Sequence, residues 1–464
     1  MRRRAIARLA ALFALLFAVL ALQQIRLAVI EGPRLAQSPL NPRRANAAEG
    51  RGEIVASDGT VLAKSVGARR VYPVGALCVH AVGYLSARYG ESGLEASFDR
   101  FLAPENESGD PLAQLRALLS TKNANAARIV TTLDLPTQRA LVDALSGYAH
   151  AAGVVLDPST GEVLALASVP SFDPRELDRI FPRLREDPNS PLLDRSTGGL
   201  YPPGSTFKIF TAAAALDLGV VDMSSTFDDD GALVIGNYSV HNDQNEVTGH
   251  QDLTGAFALS SNVDFAQIAL RIGPQRWFDE AARWGLGRPI EFDVPTEADR
   301  LPSRQEVEQA PGVLAQLGFG EADLLVTPLR AALVVATIAA GGTTPRPVLV
   351  REIDRDGRRI VTPRSELAAP ISATIAGEVR DMMIATVRRG TGTAAALPGV
   401  TVAGKTGTAT NPGVAHAWFV AFAPAQAPRV ALAVVVEHAG YGGAVSAPIA
   451  RSVLRVALAR GLSR

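Results

Sequence analysis

The chain opens on an unbroken run of apolar or small residues at positions 9–22, preceded by Arg2, Arg3, Arg4 and Arg8. Apolar character resumes after Gln23 and Gln24 through Ile25 and Leu27 to Ile30, with Arg26 able to snorkel to an interface. A spanning helix needs about 20 residues, and positions 9–22 alone are short enough for a cleavable signal core. The small-residue cleavage pattern near Ala21 is poor, so the expectation is an uncleaved single-pass anchor over residues 1–30, with its arginines cytoplasmic and the rest outside. A Pro- and Arg-rich connector at 32–44 follows. Apolar alternation around Asp58-Gly59 then predicts a short hairpin, residues 89–95 lead into a helix, and 104–110 form a polar loop. From Arg128 the character changes to a strand at 129–133, a helix at 136–145 and a dense globular pattern. The reading is three regions: an anchor (1–30), a small extended module with linker (31–148) and a main domain (149–464).

Within the main domain, apolar runs at 152–157 and 162–168 flank Pro158-Ser159-Thr160-Gly161, which predicts a hairpin. Residues 401–409, 417–423 and 430–437 read as three more strands, and 448–460 as a closing helix. The chain between reads as mostly helical. Strands at both ends around a helical middle imply one antiparallel sheet, assembled from distant sequence and covered by helices, in an α+β arrangement.

Composition narrows the chemistry. The 464 residues, 47% hydrophobic, suffice for two to three domains. A formal net charge of zero argues against nucleic acid as a partner. The lone Cys78 excludes an intrachain disulfide and reads as a small buried hydrophobe. No Cys/His cluster has zinc spacing, Asp228-Asp229-Asp230 reads as a solvated turn, and no cofactor is implied. His241, His416 and His438 lie near site segments, yet nothing pairs them with a serine, which argues against a Ser-His mechanism.

Of the 46 basic residues only Lys64, Lys122, Lys208 and Lys405 are lysines, and the last two sit in short motifs beside hydroxyl residues. An amine, unlike a guanidinium, can be desolvated into a base near neutral pH. Ser205-Thr206-Phe207-Lys208 follows the breaker Tyr201-Pro202-Pro203-Gly204, so Ser205 opens a helix running to Leu216, with Lys208 on the same face and within reach of the hydroxyl. The helix dipole there favours a developing anion. The structural alternative is an N-cap serine and a solvated lysine. Ser260-Ser261-Asn262 interrupts two helical stretches at 253–259 and 263–270, where an ordinary capping role is the alternative. Lys405-Thr406-Gly407-Thr408 lies on a strand, and Gly407 removes bulk so that a ligand can approach the backbone. An edge-strand glycine is the alternative there.

These three motifs, in this order and these contexts, resemble the penicillin-binding protein and serine β-lactamase superfamily. Tyr201 through Lys208, Gly236-Asn237-Tyr238, the Ser260 loop and Thr327-Pro328-Leu329 are similar to class B penicillin-binding proteins. Arg51-Gly52, Ser57-Asp58-Gly59 and Gly93-Leu94-Glu95 resemble that family's N-terminal pedestal, whose shortness is most similar to the penicillin-binding protein A-like subgroup. Two departures stand out: Phe319 replaces a frequent glutamine in Gly318-Phe319-Gly320, and the pedestal is shorter than in division and elongation members. No segment before residue 128 has room for a glycosyltransferase domain, so the expectation is a monofunctional enzyme.

The resemblance implies a D,D-transpeptidase of cell-wall synthesis, serving cell division, shape or sporulation and blocked by β-lactams. Ser205 would attack the bond between the two terminal D-alanines of a peptidoglycan stem peptide, with Lys208 as base and Lys405 as the neighbouring cation. Ser260 would relay a proton and Asn262 would hold Lys208 and substrate. Lys405, Thr406 and Thr408, flanking Gly407, would bind the terminal carboxylate, and the N–H groups of Ser205 and Thr408 would form the oxyanion hole. The expected location is the bacterial cell membrane, catalytic domain outside. The expected partner is a membrane glycosyltransferase of the shape, elongation, division and sporulation type. The other readings are a D,D-carboxypeptidase or class D-like β-lactamase, the latter shorter and with tyrosine at the second motif, and a non-enzymatic divisome scaffold.

Overall fold

The computed structural model describes residues 2–26, 48–104, 126–409 and 413–460. The connector at 32–44, Lys122 and all but the first residue of the loop at 104–110 lie outside the described residues. Five antiparallel strands form the central sheet in the order Ala403–Ala409, His416–Ala423, Val430–Val436, Ala151–Leu156, Val163–Val169. Each strand is buried on both faces almost throughout, which is why the strands read as continuous apolar runs rather than alternations. Alternation survives in where the side chains go. Val154, Trp418, Val420, Phe422, Ala431 and Ala433 join one core, while Val155, Ala417, Phe419, Ala421, Leu432 and Val434 join the other. The second core is covered by the helices Leu135–Leu145 and Ser446–Ala459, and the first faces the helix Pro328–Ala339. The first of these helices is capped by Asp134, whose carboxylate accepts the N–H of Thr137 at 3.1 Å.

The two outer hairpins form where Asp58-Gly59 and residues 158–161 place them. Two features of the middle differ from the sequence reading. Between the helical segments lie two small two-stranded sheets, Thr226–Asp229 with Gly249–Asp252 and Ala232–Ile235 with Tyr238–His241. Their strands are four residues each and largely exposed, Ala232–Ile235 apolar throughout and the other three mixed or polar, so each is too short for a strand period to register. The N-terminal sheet is also longer than its own sequence. Ile54–Val55 pairs in parallel with Arg128–Thr131, and Val350–Arg355 with Arg358–Val361 joins on the far side, so a strand pair from the main domain completes it.

A buried ion cluster fixes the N-terminal module. Arg51 donates from Nε to Glu95 Oε2 at 2.8 Å and from its guanidinium to Glu95 O at 2.6 Å, and also pairs with Asp99. Arg70 Nε reaches Glu95 Oε1 at 2.7 Å, and Tyr72 donates to the same oxygen at 3.3 Å. Glu95 is fully buried and Arg51 nearly so. Cys78 is buried as expected, and burial pushes its thiol up to about 12. A helix occupies Arg2–Ile25 where the anchor is expected. Among the described residues no helix is long and apolar enough to cross a membrane, and the side chains of residues 2–12 and 25 are not among them.

Removing one member of a buried charge pair strands the other, a loss of about 3–5 kcal/mol. Glu95→Ala is expected to destabilise the protein by that order, because two arginines lose their shared carboxylate, whereas the exposed pair Arg179–Glu176 contributes less than about 1 kcal/mol. Urea unfolding of the two single variants, Glu95→Ala and Glu176→Ala, measures the difference.

Candidate functional site

Ser205 lies on a 3-10 turn, Gly204–Phe207, that precedes the helix Lys208–Asp217 rather than opening it. The turn is pinned from outside. Gly204 N–H bonds Gly320 O at 3.0 Å, and Trp418 Nε1 donates to Pro202 O at 2.9 Å. Ser205 is not the cap of either element, since Pro203 holds that position for the turn and Phe207 for the helix. Ser205 faces a cleft of about 830 Å³ whose walls include Ser260, Asn262, Thr406, Thr408 and Phe319. The helix behind it is buried on all sides from Lys208 to Ala215, which excludes the solvated-lysine alternative.

Lys208 is fully buried and its Nζ donates to Ser260 O at 2.6 Å, Asn262 Oδ1 at 2.8 Å and Ser260 Oγ at 3.2 Å. Lys405, also fully buried, donates to the same Ser260 Oγ at 2.8 Å and to Thr406 O at 3.2 Å. Burial, followed by the charge of Lys405, holds the Lys208 amine well below its usual range, while Asp264, Asp229 and Glu321 pull the other way. Burial lowers Lys405 to about 7. Both shifts favour the uncharged amine, and that of Lys208 has the neighbouring charge of Lys405 as a further cause, so the state with both amines charged is disfavoured. Among the described residues no hydrogen bond joins Ser205 Oγ to Lys208, in contrast to the reach expected from their spacing, because the amine is drawn to the Ser260 turn.

Ser260 ends the helix Leu253–Leu259 in a left-handed conformation, φ 65°, uncommon for a residue with a Cβ. Ser261 then caps the next helix, Asn262–Ile272, with Oγ accepting the N–H of Asp264 at 3.0 Å. The kink turns Ser260 and Asn262 toward Lys208 together. Thr406 shares a 2.5 Å hydrogen bond with Thr391 Oγ1. Gly407 is needed for packing: a Cβ there would sit 2.8–2.9 Å from Thr206 Cγ2, Pro203 O and Trp418 Cβ. The glycine lets the serine turn lie against the strand.

The sequence from 151 to 455 matches the model of the penicillin binding protein transpeptidase domain, about two thirds of the chain. The chain belongs to that family. Residues 51–129 of this penicillin-binding protein match the penicillin binding protein A dimerisation domain. The peptidoglycan D,D-transpeptidase PbpA of Mycolicibacterium smegmatis is 34% identical, with 89% of each chain covered. MrdA of Escherichia coli, also named a peptidoglycan D,D-transpeptidase, is 28% identical over 81% of this chain and 69% of its own. Among solved structures, a D,D-transpeptidase domain from Eggerthella lenta superposes with a TM-score of 0.81 at 35% identity, covering 89% of this chain and 99% of that one. Penicillin-binding protein A from M. tuberculosis, as its ceftriaxone acyl-enzyme, superposes equally well at 32% identity, covering 89% and 100%.

All eight motif residues of this penicillin-binding protein gather at one place, but three neighbours escaped the sequence reading. Thr391 belongs to a loop with no motif of its own. Asp229 is buried, while Asp228 and Asp230 are exposed, so the triple aspartate is a solvated turn only in its outer members. Asn242 is buried beside it and accepts the N–H groups of Asn262 and Val263 at 2.8 and 3.2 Å. The strand alternation of residues 226–229 is the signal that separates Asp229 from its neighbours. His241 lines the cleft, while His416 packs edge-on to Tyr201 and His438; among the described residues none bonds to Ser205.

The Lys405 amine carries a sign that can be tested. Between its folded value of about 7 and its ordinary 10.5, the unfolded chain holds a proton that the folded chain does not, so stability rises with pH across that window. The slope is up to about 1.4 kcal/mol per pH unit. Lys405→Met is expected to remove that component, seen as a flatter dependence of unfolding midpoint on pH between 7 and 10; a dependence as steep as in the wild type would show that Lys405 keeps its proton when folded.

Proposed function

We infer that this chain is a peptidoglycan D,D-transpeptidase working through a Ser205 acyl-enzyme and covalently inhibited by β-lactams. The observation that carries the reading is Ser260 Oγ held between two buried amines, at 3.2 and 2.8 Å, in the cleft that Ser205 faces. Ser205 is the nucleophile on the penultimate D-alanine carbonyl of a stem peptide, and neutral Lys208 takes its proton. The tetrahedral oxyanion is stabilised by the backbone N–H groups of Ser205 and Thr408. Collapse releases D-alanine, its amine protonated through Ser260, which bonds both lysines and so lies on a path between proton donor and leaving group. Asn262 holds Lys208 and the substrate amide. Lys405, with Thr406 and Thr408, binds the terminal carboxylate, and Gly407 keeps the strand close to the serine turn. An amine from a second stem peptide then attacks the ester, restoring Ser205 and closing the crosslink.

One relative, penicillin-binding protein A from M. tuberculosis, solved as acyl-enzymes with ceftriaxone, imipenem and penicillin G, supports the same covalent step with β-lactams here. The arginine-flanked apolar run at 9–22 supports a single-pass anchor in the bacterial cell membrane, with the domain on the outer face. The match of residues 51–129 to a dimerisation domain supports the pedestal as the partner-facing part, and a membrane glycosyltransferase of the shape, elongation, division and sporulation type is the proposed partner.

Fluorescent penicillin is expected to label the wild type in a band stable for hours. Ser205→Ala is expected to abolish the band, and Lys208→Arg to weaken it by at least ~100-fold because a guanidinium does not accept the proton. Rapid loss of label with drug turnover would instead identify a hydrolase, and undiminished labelling of either variant would overturn the assignment.

A further inference from the structure

We propose that Asp229 and Asn242 are positioning residues for the reaction inferred above, holding the Ser260–Asn262 turn and through it the amine of Lys208. Neither belongs to the three motifs, and the proposal rests on the transpeptidase reading of the site. Asp229 ends the strand Thr226–Asp229 with its carboxylate fully buried. Its Oδ2 accepts from Thr248 Oγ1 at 2.5 Å, Asn242 Nδ2 at 2.6 Å and Ser261 Oγ at 2.7 Å, and its Oδ1 accepts from Gly231 N at 2.8 Å. Burial pushes the carboxyl up, yet these donors outweigh it and hold the group below its ordinary value, so the carboxylate is ionised.

The consequence runs in two branches to one helix start. Asn242 gives its amide protons to Asp229 and to Glu246 O at 2.9 Å, so its Oδ1 is left facing the N–H groups of Asn262 and Val263. Ser261 gives its proton to Asp229, so its oxygen is left to accept the N–H of Asp264. The first N–H groups of a helix have no partner within it. Here three of them are taken by two side chains that one carboxylate orients. The helix so fixed presents Asn262, whose Oδ1 receives Lys208 and whose Nδ2 donates to His241 O at 3.1 Å. The left-handed Ser260 is joined directly to this frame. The turn also closes its own helix, with the Ser260 N–H on Phe257 O at 3.2 Å and the Ser261 N–H on Ala256 O at 3.0 Å, so the left-handed serine is held from both sides.

Charge and geometry make separable predictions. The charged groups around Lys208 are Lys405 on the strand, which opposes its protonation, and Asp264, Asp229 and Glu321, which favour it. Asp264, on the same helix as Asn262, is itself raised to about 6 by burial. Asp229→Asn removes one favourable charge, so the protonated amine is less stable and the acidic limb of the acylation profile moves to lower pH. Asn242→Ala removes hydrogen bonds and no charge.

The test is the second-order rate of acylation by fluorescent penicillin across pH 5–9, for the full-length wild type, Asp229→Asn, Asn242→Ala and, as a stability control remote from the cleft, Glu95→Gln. Both network variants are expected to acylate at least ~10-fold more slowly at pH 7. Only Asp229→Asn is expected to shift the acidic limb downward, and Glu95→Gln is expected to leave rate and limb unchanged in its folded fraction. A wild-type rate in either folded network variant overturns the proposal, as does an equal loss in Glu95→Gln or an unshifted limb in Asp229→Asn. Asn242→Ala, which strips no buried charge, carries the test if Asp229→Asn does not fold. An unlabelled wild type, or a labelled Ser205→Ala, would instead strike the transpeptidase reading and take the proposal with it.

Discussion

Two lysine amines, both removed from water, bond one hydroxyl oxygen and therefore stand no more than about 6 Å apart. At an effective dielectric constant near 20, two unit charges at that distance repel by about 3 kcal/mol, and each has already lost its hydration. The protein avoids the doubly charged state by keeping one amine neutral. An amine can give up its proton where a guanidinium cannot, which accounts for lysine at these two positions in a chain whose other basic residues, Lys64 and Lys122 apart, are arginines. The proposed chemistry would then follow from a folding constraint: the fold buries both amines, and burial disfavours their charged forms.

That constraint sets what the surrounding elements have to do. Lys208 comes from a helix buried on all sides, so its stem has no alternative path to solvent. Lys405 comes from the edge strand of the central sheet, where alternate residues point into the packed helices, and Thr406 and Thr408 remain at the cleft. Ser260 must reach both, and the left-handed end of its helix aims it there. Backbone strain at a residue with a Cβ is offset by the hydrogen bonds that close this helix and those that start the next one.

The parts legible in the sequence are those where one residue type has a single strong reason to be present. Serine and lysine three apart after a Pro-Pro-Gly break, a serine and asparagine between two helical stretches and a lysine on an apolar strand identify the site. The long, doubly buried strands identify the sheet. The less legible parts involve residues whose type is ordinary. Asp229 looks like its neighbours Asp228 and Asp230 until a four-residue strand turns it inward. Asn242 caps a helix twenty residues away, so local capping rules do not find it. The strand pair of residues 350–361 completes a sheet that begins three hundred positions earlier, and no local pattern encodes its partner. Gly407, singled out for ligand approach, also has a packing role against Thr206 and Pro203 that its sequence context does not show.

The same strand pair links the pedestal to the cleft. Val350–Arg355 is hydrogen-bonded into the N-terminal sheet, and the chain then runs through the helix Ala373–Arg389 to Thr391, which bonds Thr406. At the end of that helix Gly390 passes so near the segment before Ser260 that a Cβ would fall 2.2 Å from Ala258 O, and Thr391 N–H bonds that same carbonyl at 3.2 Å. One continuous stretch of chain therefore touches the pedestal sheet at its start, and at its end both the strand carrying Lys405 and the helix leading into Ser260. The pedestal is accordingly not an appendage tied on by a linker. The chain segment that pairs with its sheet continues into the loop that hydrogen-bonds both walls between which the two amines are held.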